Sequence, residues 1–254
     1  MMYLIDTHAH LDEIEDLDST ISEARAAGLV AIVAVGSDLA SNQKVLELAE
    51  QYPGFVYTAL GWHPWYIKEE EIDVNLEFIE ANIDKAVGVG EIGLDYHKRV
   101  RVVADRDLQK RVLGGLLKIA AKHEKPALIH SRYAWRDAYD AVDGAGIEKA
   151  VFHWYTGTSS VLRDIIAHGY YISVTPAVEY HDEHRRAVKE APLKQLLLET
   201  DSPVTYGRGS DHEFTAMPAD VRRSLKVAAA LKGLSEEEIA EATTANAESL
   251  FGIV

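Results

Sequence analysis

Six side chains with the chemistry of metal ligands recur at matching places along the chain. They are His8 and His10 in Asp6-Thr7-His8-Ala9-His10, followed by Glu91, His130, His153 and Asp201. Imidazole and carboxylate suit zinc, manganese, magnesium, iron and nickel. Residues i and i+2 of a strand share a face, so His8 and His10 can reach one ion from one element. Alone, a His-x-His pair reads as easily as a surface or capping pair. The other four change that reading, because each follows an apolar run: Ala86–Gly90 before Glu91, Ala127–Ile129 before His130, Ala150–Phe152 before His153, and Gln195–Leu198 shortly before Asp201. Three ligands can hold one catalytic ion with a position left open. Six suggest two divalent ions, with Glu91 bridging them at the roughly 3.5–4 Å spacing of hydrolytic two-metal sites. That division puts His8, His10 and Asp201 on one ion and His130 with His153 on the other. The expected chemistry is hydrolysis by a metal-bound hydroxide, since a bound ion can lower the pKa of water from about 15.7 to about 7. Asp201 is the expected base, and the second ion would stabilise negative charge developing on the substrate.

Such a site needs strands that end at one place. Apolar, β-branched runs occur at Tyr3–Ile5, Val30–Val35, Phe55–Leu60, Ala86–Gly90, Ala127–Ile129, Ala150–Phe152, Tyr170–Val174 and Gln195–Leu198. They are continuous rather than alternating, as in strands buried on both faces. Helical patterns lie between them: from near Ser19 to Gly28, Leu39–Gln51, Ala104–His123, Trp135–Val142, Val161–Ala167 and Asp220–Leu231. Ser235 and Glu238 form a capping box that opens a last helix through Leu250. Strands interleaved with helices imply parallel pairing through right-handed crossovers. A doubly wound open sheet would satisfy the pattern, but a (β/α)₈ TIM barrel gathers all C-terminal strand ends on one face, where barrel active sites sit. The length of 254 residues fits one such barrel, residues 1–254 as a single domain.

The motifs resemble one known family. Asp6-Thr7-His8-Ala9-His10-Leu11-Asp12, Gly61-Trp62-His63-Pro64, Gly90-Glu91-Ile92-Gly93-Leu94-Asp95-Tyr96, Ile129-His130-Ser131-Arg132, Glu199-Thr200-Asp201-Ser202-Pro203 and Thr243-Thr244-Ala245-Asn246-Ala247 occur in the order of the TatD family of metal-dependent hydrolases. That family belongs to the amidohydrolase superfamily of barrels. The resemblance spans essentially the whole chain. It implies deoxyribonuclease activity, with His8, His10, Glu91, His130, His153 and Asp201 as ligands. Glu91 stands where many superfamily members use a modified lysine. Two places depart from the family. His153-Trp154-Tyr155-Thr156-Gly157 carries a bulky indole after the histidine, and Phe214-Thr215-Ala216-Met217-Pro218 replaces an Asn-Glu-Pro segment.

Other residues are candidates for substrate. His63 ends the third strand and could touch substrate or orient a ligand. Arg132 could grip a phosphate or carboxylate with its fork, or serve a local ion pair. Trp154, like Trp62 and Trp65, could stack on a base, although aromatics near barrel strands usually pack. Asp95 and Tyr96 could hydrogen-bond a ligand histidine. With 26 Lys and Arg against 41 Asp and Glu, the net charge is −15, which argues against a large non-specific DNA-binding face. It leaves room for a DNA or nucleotide phosphodiester substrate, because bound cations invert local charge. An amide or ester, including that of an aminoacyl-tRNA, is the rival substrate for the same site. A non-catalytic binding protein stabilised by its metals is the third reading. There is no cysteine, which removes disulfides and thiolate ligands. No stretch approaches the roughly 20 apolar residues of a membrane span, and the N-terminus lacks the pattern of a signal peptide. A cytoplasmic protein without a membrane partner is expected, and a monomer is compatible with the pattern.

Overall fold

The computed structural model describes residues 2–253. Its core is an eight-stranded parallel sheet in sequential order: β1 (Leu4–Ala9), β2 (Leu29–Val35), β3 (Val56–Leu60), β4 (Gly88–Asp95), β5 (Ala127–Arg132), β6 (Ala150–Phe152), β7 (Tyr171–Val174) and β8 (Leu196–Leu198). Closure comes just beyond β8. Ala9 and Ser202 form a parallel bridge, Asp201 N donates to His8 O at 2.9 Å, and His10 N donates to Ser202 O at 2.7 Å. The expected barrel is thus the observed one.

Helices α1 (Leu17–Ala26), α2 (Leu39–Gln51), α3 (Ile72–Asn82), α4 (Arg106–Lys122), α5 (Trp135–Gly144), α6 (Ser159–His168) and α7 (Asp182–Glu190) alternate with the strands. A small hairpin, β9 (Thr205–Tyr206) with β10 (Phe214–Thr215), precedes α8 (Val221–Lys232) and α9 (Glu236–Phe251). Alternate strand residues serve two cores. Leu4, Ile32, Ala34 and Ile129 belong to the cluster packed with the helices, while Ile5, Ala31, Val33, Leu128 and Leu197 cluster with Leu250 and Phe251 from the end of α9. The Ser235–Glu238 capping box at the start of α9 is present.

Three strands run further than their apolar runs. β1 includes His8, β4 includes Glu91, and β5 includes His130, so these residues lie within strands rather than beyond them. The polar side chains that ended each apolar run are themselves buried or half-buried in the barrel mouth. Strand register is irregular between Asp6 and Ala9 and between Val89 and Ile92, around His8 and Glu91. Such irregularities re-aim side chains next to active sites. Helices α3 and α7 were not anticipated. Each buries few residues, Asn75 and Ile79 in α3 and His184, Ala187 and Val188 in α7, so neither displays a full apolar stripe.

His184 makes stability depend on pH. Its Nδ1 donates to Tyr155 O at 3.0 Å, and its Nε2 accepts from Thr175 N at 3.1 Å. Burial lowers its pKa to about 4. Unfolded, it would titrate near 6.5, so between those values only the unfolded chain gains the proton. Stability is therefore expected to fall as pH drops from about 6.5 to about 4, by at most about 3 kcal/mol from this group. Urea unfolding across that window should show a shallower pH slope in His184→Gln than in the natural chain.

Candidate metal centre

Glu91 stands at the middle of the barrel mouth and divides its two oxygens between two sets of histidines. Oε2 lies 3.3 Å from His8 Nε2 and 3.5 Å from His10 Nε2. Oε1 lies 2.8 Å from His130 Nδ1, 2.8 Å from His153 Nε2 and 3.5 Å from His63 Nε2. Asp201 Oδ1 closes the first set, 3.6 Å from His8 Nε2 and 3.4 Å from His10 Nε2. The six residues singled out as ligands are therefore neighbours, drawn from β1, β4, β5 and the segments after β1, β6 and β8. His63, expected to touch substrate or orient a ligand, is buried beside Glu91 and lines the same cleft.

The donor set fits divalent cations. Donor atoms of His8, His10 and Glu91, of His8, His153 and Asp201, and of His63, Glu91 and His130 each lie within 4.8 Å of one another. His8 is buried, yet neither of its ring nitrogens has a hydrogen-bond partner, and His153 Nδ1 lacks one too. The 3.3 Å approach of His8 Nε2 to Glu91 is a close contact without hydrogen-bond geometry. A buried unpartnered nitrogen costs about 1–3 kcal/mol, and a cation between imidazole and carboxylate removes that cost. Burial alone would raise the Glu91 carboxyl, but His63, His153 and His8 hold it well below the usual carboxylate range. Burial pushes the His63 imidazole down to about 3.

A further ring of groups fixes the centre. Ser37 Oγ lies 3.2 Å from His10 Nδ1. Asp95 Oδ2 lies 3.3 Å from His130 Nε2 and accepts from Trp65 Nε1 at 2.6 Å. Asp95 is itself held by Gln109, whose Oε1 accepts from Asp95 N at 2.8 Å and whose Nε2 donates to Asp95 O at 2.9 Å. Glu199 Oε1 accepts from Trp154 N at 2.9 Å and sits 3.5 Å from His153 Nδ1. Asp6 Oδ1 accepts from Thr200 N at 3.0 Å, and Asp6 Oδ2 accepts from Thr200 Oγ1 at 2.5 Å. Partners of this kind orient metal-binding imidazoles and tune their basicity.

The centre opens into a cleft of about 870 Å³. Arg132 lines it, but its fork engages Asp95, Nε at 3.1 Å from Oδ1 and Nη2 at 2.8 Å from Oδ2. Of the two roles weighed for Arg132, the local carboxylate is the one seen. Trp154 also lines the cleft and packs on Tyr206, ring centroids 5.4 Å apart. Among the described residues, four non-glycine residues have positive φ, and three of them, Tyr133, Trp154 and Asp201, line this cleft. Backbone strain of order 1–3 kcal/mol per residue tends to collect where function requires a geometry. Sequence reasoning missed Tyr133 and Arg208. Arg208 reaches the cleft from the β9–β10 loop, and the one available signal was a cation flanked by Gly207 and Gly209 shortly after Asp201.

Known proteins resemble this chain along its whole length. The family described as TatD related DNase matches residues 5–252. The deoxyribonuclease TATDN3 of Homo sapiens is 33% identical over 261 residues, covering 98% of this chain and 94% of its own. YabD of Bacillus subtilis (strain 168), an uncharacterized metal-dependent hydrolase, is 34% identical over 265 residues, covering 98% of this chain and 99% of its own. The crystal structure of YjjV, a TatD homologue of Escherichia coli K12, superposes with a TM-score of 0.90 at 29% identity, covering 99% and 98% of the two chains. Sequence match from end to end, together with the same barrel, leads to one conclusion: the chain belongs to the TatD family of metal-dependent hydrolases.

Proposed function

We propose that this chain hydrolyses phosphodiester bonds of DNA, with two divalent ions held by His8, His10, Glu91, His130, His153 and Asp201, and that residues 1–254 act as one domain. The observation that carries this reading is the division of the Glu91 oxygens between the His8/His10 pair and the His130/His153 pair. The name of the human relative supports DNA as the substrate class. Zinc, manganese, magnesium, iron and nickel all suit these donors. When bound, such ions acidify water and neutralise charge on a phosphoryl oxygen.

The remaining work falls to side chains. Asp201 accepts the proton of the attacking water. Burial would raise its carboxyl, but the close approach of His10 keeps it below its ordinary value, so it is ionised and open to a proton. Arg208 has no ion pair among the described residues, so its guanidinium is available for a phosphate. Trp65 and Trp154 form walls on which a base can rest. A cleft of about 870 Å³ is within the size of small-ligand pockets, roughly 300–1,000 Å³. It suits a strand end or an unpaired nucleotide better than a long duplex.

In His130→Ala and Asp201→Asn, manganese- or magnesium-dependent cleavage of a labelled single strand is expected to drop at least about a hundredfold while circular dichroism keeps the barrel signature. Cleavage persisting in both variants refutes the mechanism. Hydrolysis confined to carboxylic esters in a substrate panel would move the site to acyl chemistry.

A further inference from the structure

The chain has 41 acidic and 26 basic residues, yet the segment joining β4 to α4 reverses that balance. It reads Tyr96-His97-Lys98-Arg99-Val100-Arg101-Val102-Val103-Ala104, with no acidic residue between Asp95 and Asp105. Two successive turns shape it. Val100 N and Arg101 N donate to His97 O at 3.0 and 3.1 Å, and Val103 N and Ala104 N donate to Val100 O at 2.9 Å each. Val100 and Ala104 are buried beneath the turns, which leaves Lys98, Arg99 and Arg101 exposed. Nearby cations are engaged, Arg132 with Asp95 and Lys110 with Asp137. Among the described residues, no ion pair or hydrogen bond engages the side chains of Lys98, Arg99 or Arg101, although Arg99 N donates to His97 Nδ1 at 3.4 Å.

This cationic segment is joined to the cleft. His97 N donates to Asp95 Oδ1 at 2.8 Å, and Asp95 in turn contacts His130. The His97 ring stacks on Tyr133, centroids 6.3 Å apart and planes at 25°. Tyr133 lines the cleft, is 61% exposed and has φ +57°. An exposed aromatic ring of the cleft thus stacks on the histidine that directly precedes the free cations in sequence.

We propose that Lys98, Arg99 and Arg101 form the track for the phosphate backbone of a single nucleic-acid strand whose end lies in the cleft, with Tyr133 as a stacking platform between track and centre. This rests on the phosphodiesterase reading of the centre. A basic groove that follows the backbone, interleaved with aromatic rings, is how proteins hold single strands without reading sequence. Val102 and Val103, 87% and 62% exposed, offer a small apolar face to a lipid surface. The stacking link to the cleft favours the strand.

The test compares the metal-loaded natural protein with K98A/R99A/R101A, all three positions being exposed. Fluorescence anisotropy follows binding of a strand of about 20 nucleotides across a salt series, and kinetics compare that strand with one of about three nucleotides. Loss of three phosphate contacts should reduce the steepness of log affinity against log salt by about 2. It should also shrink the KM advantage of the long strand by about tenfold at low salt. Tyr133→Ala should weaken binding of both strands by about fivefold or more. A triple variant with natural anisotropy and salt dependence overturns the track. Natural protein that binds the long strand but cleaves neither strand overturns the phosphodiesterase reading alone. Sedimentation with phosphatidylserine vesicles that the triple variant loses, with strand binding unaltered, assigns the segment to a lipid surface and overturns the proposal.

Discussion

Glu91→Gln is expected to lower kcat on a DNA strand by about a thousandfold or more, a larger loss than any other single change at the centre. Removing one preorganised electrostatic group from an active site already costs about 10²–10³. Glu91 does more than one such group, because each of its oxygens faces a different histidine set. Glutamine keeps the shape but offers one neutral oxygen and one NH2 group, so one set faces a donor where it needs an anion. The same change should reduce bound metal in elemental analysis. It should also remove the drop in melting temperature that a chelator causes in the natural protein. An ion present at a hundred times its Kd stabilises the folded chain by about 2.7 kcal/mol. Glu91→Gln with kcat within tenfold of the natural protein, and with full metal content, would sink the bridging role.

Asp6→Ala should cost about 3 kcal/mol of stability, measured with chelator present so that metal binding does not contribute. Asp6 is fully buried, and burial raises its carboxyl pKa well above the usual value while Thr200 and the His8 backbone pull it back. It accepts from Thr200 N, from Thr200 Oγ1 and from His8 N at 3.3 Å. Alanine leaves those donors in a dry interior, at about 1–3 kcal/mol for each that finds no substitute. For a chain of this size the loss should appear as roughly 6–12 °C in melting temperature. A shift below about 2 °C would mean that water enters the seam and replaces the carboxylate.

Much of the centre could be read from the chain because barrel geometry converts strand order into spatial proximity. Metal-competent residues at the ends of five apolar runs had one place to meet, and they do meet there. Strand limits were less legible: an apolar run ends at its first polar residue, whereas the backbone continues extended through His8, Glu91 and His130. Side-chain pairing was not legible either. Whether the Arg132 fork faces solvent or Asp95 depends on the path of β4 beside β5, not on spacing. His63 at the end of the third strand was legible as a residue that could orient a ligand, but its 3.5 Å approach to Glu91 was not. The β9–β10 hairpin is too short for a periodic signal, so Arg208 stayed hidden with it.

The bonds that tie Asp6 and His8 to Thr200 and Asp201 join residues up to 194 positions apart. During synthesis, His8 and His10 emerge early and Asp201 late. At roughly 5–20 residues per second the interval is on the order of 10–40 s. Throughout it β1 has an unpaired edge, the kind of surface on which nascent chains associate wrongly. On the proposed ligand set the centre is complete only once Asp201 has been made, so full cofactor loading is expected late in the life of each new molecule.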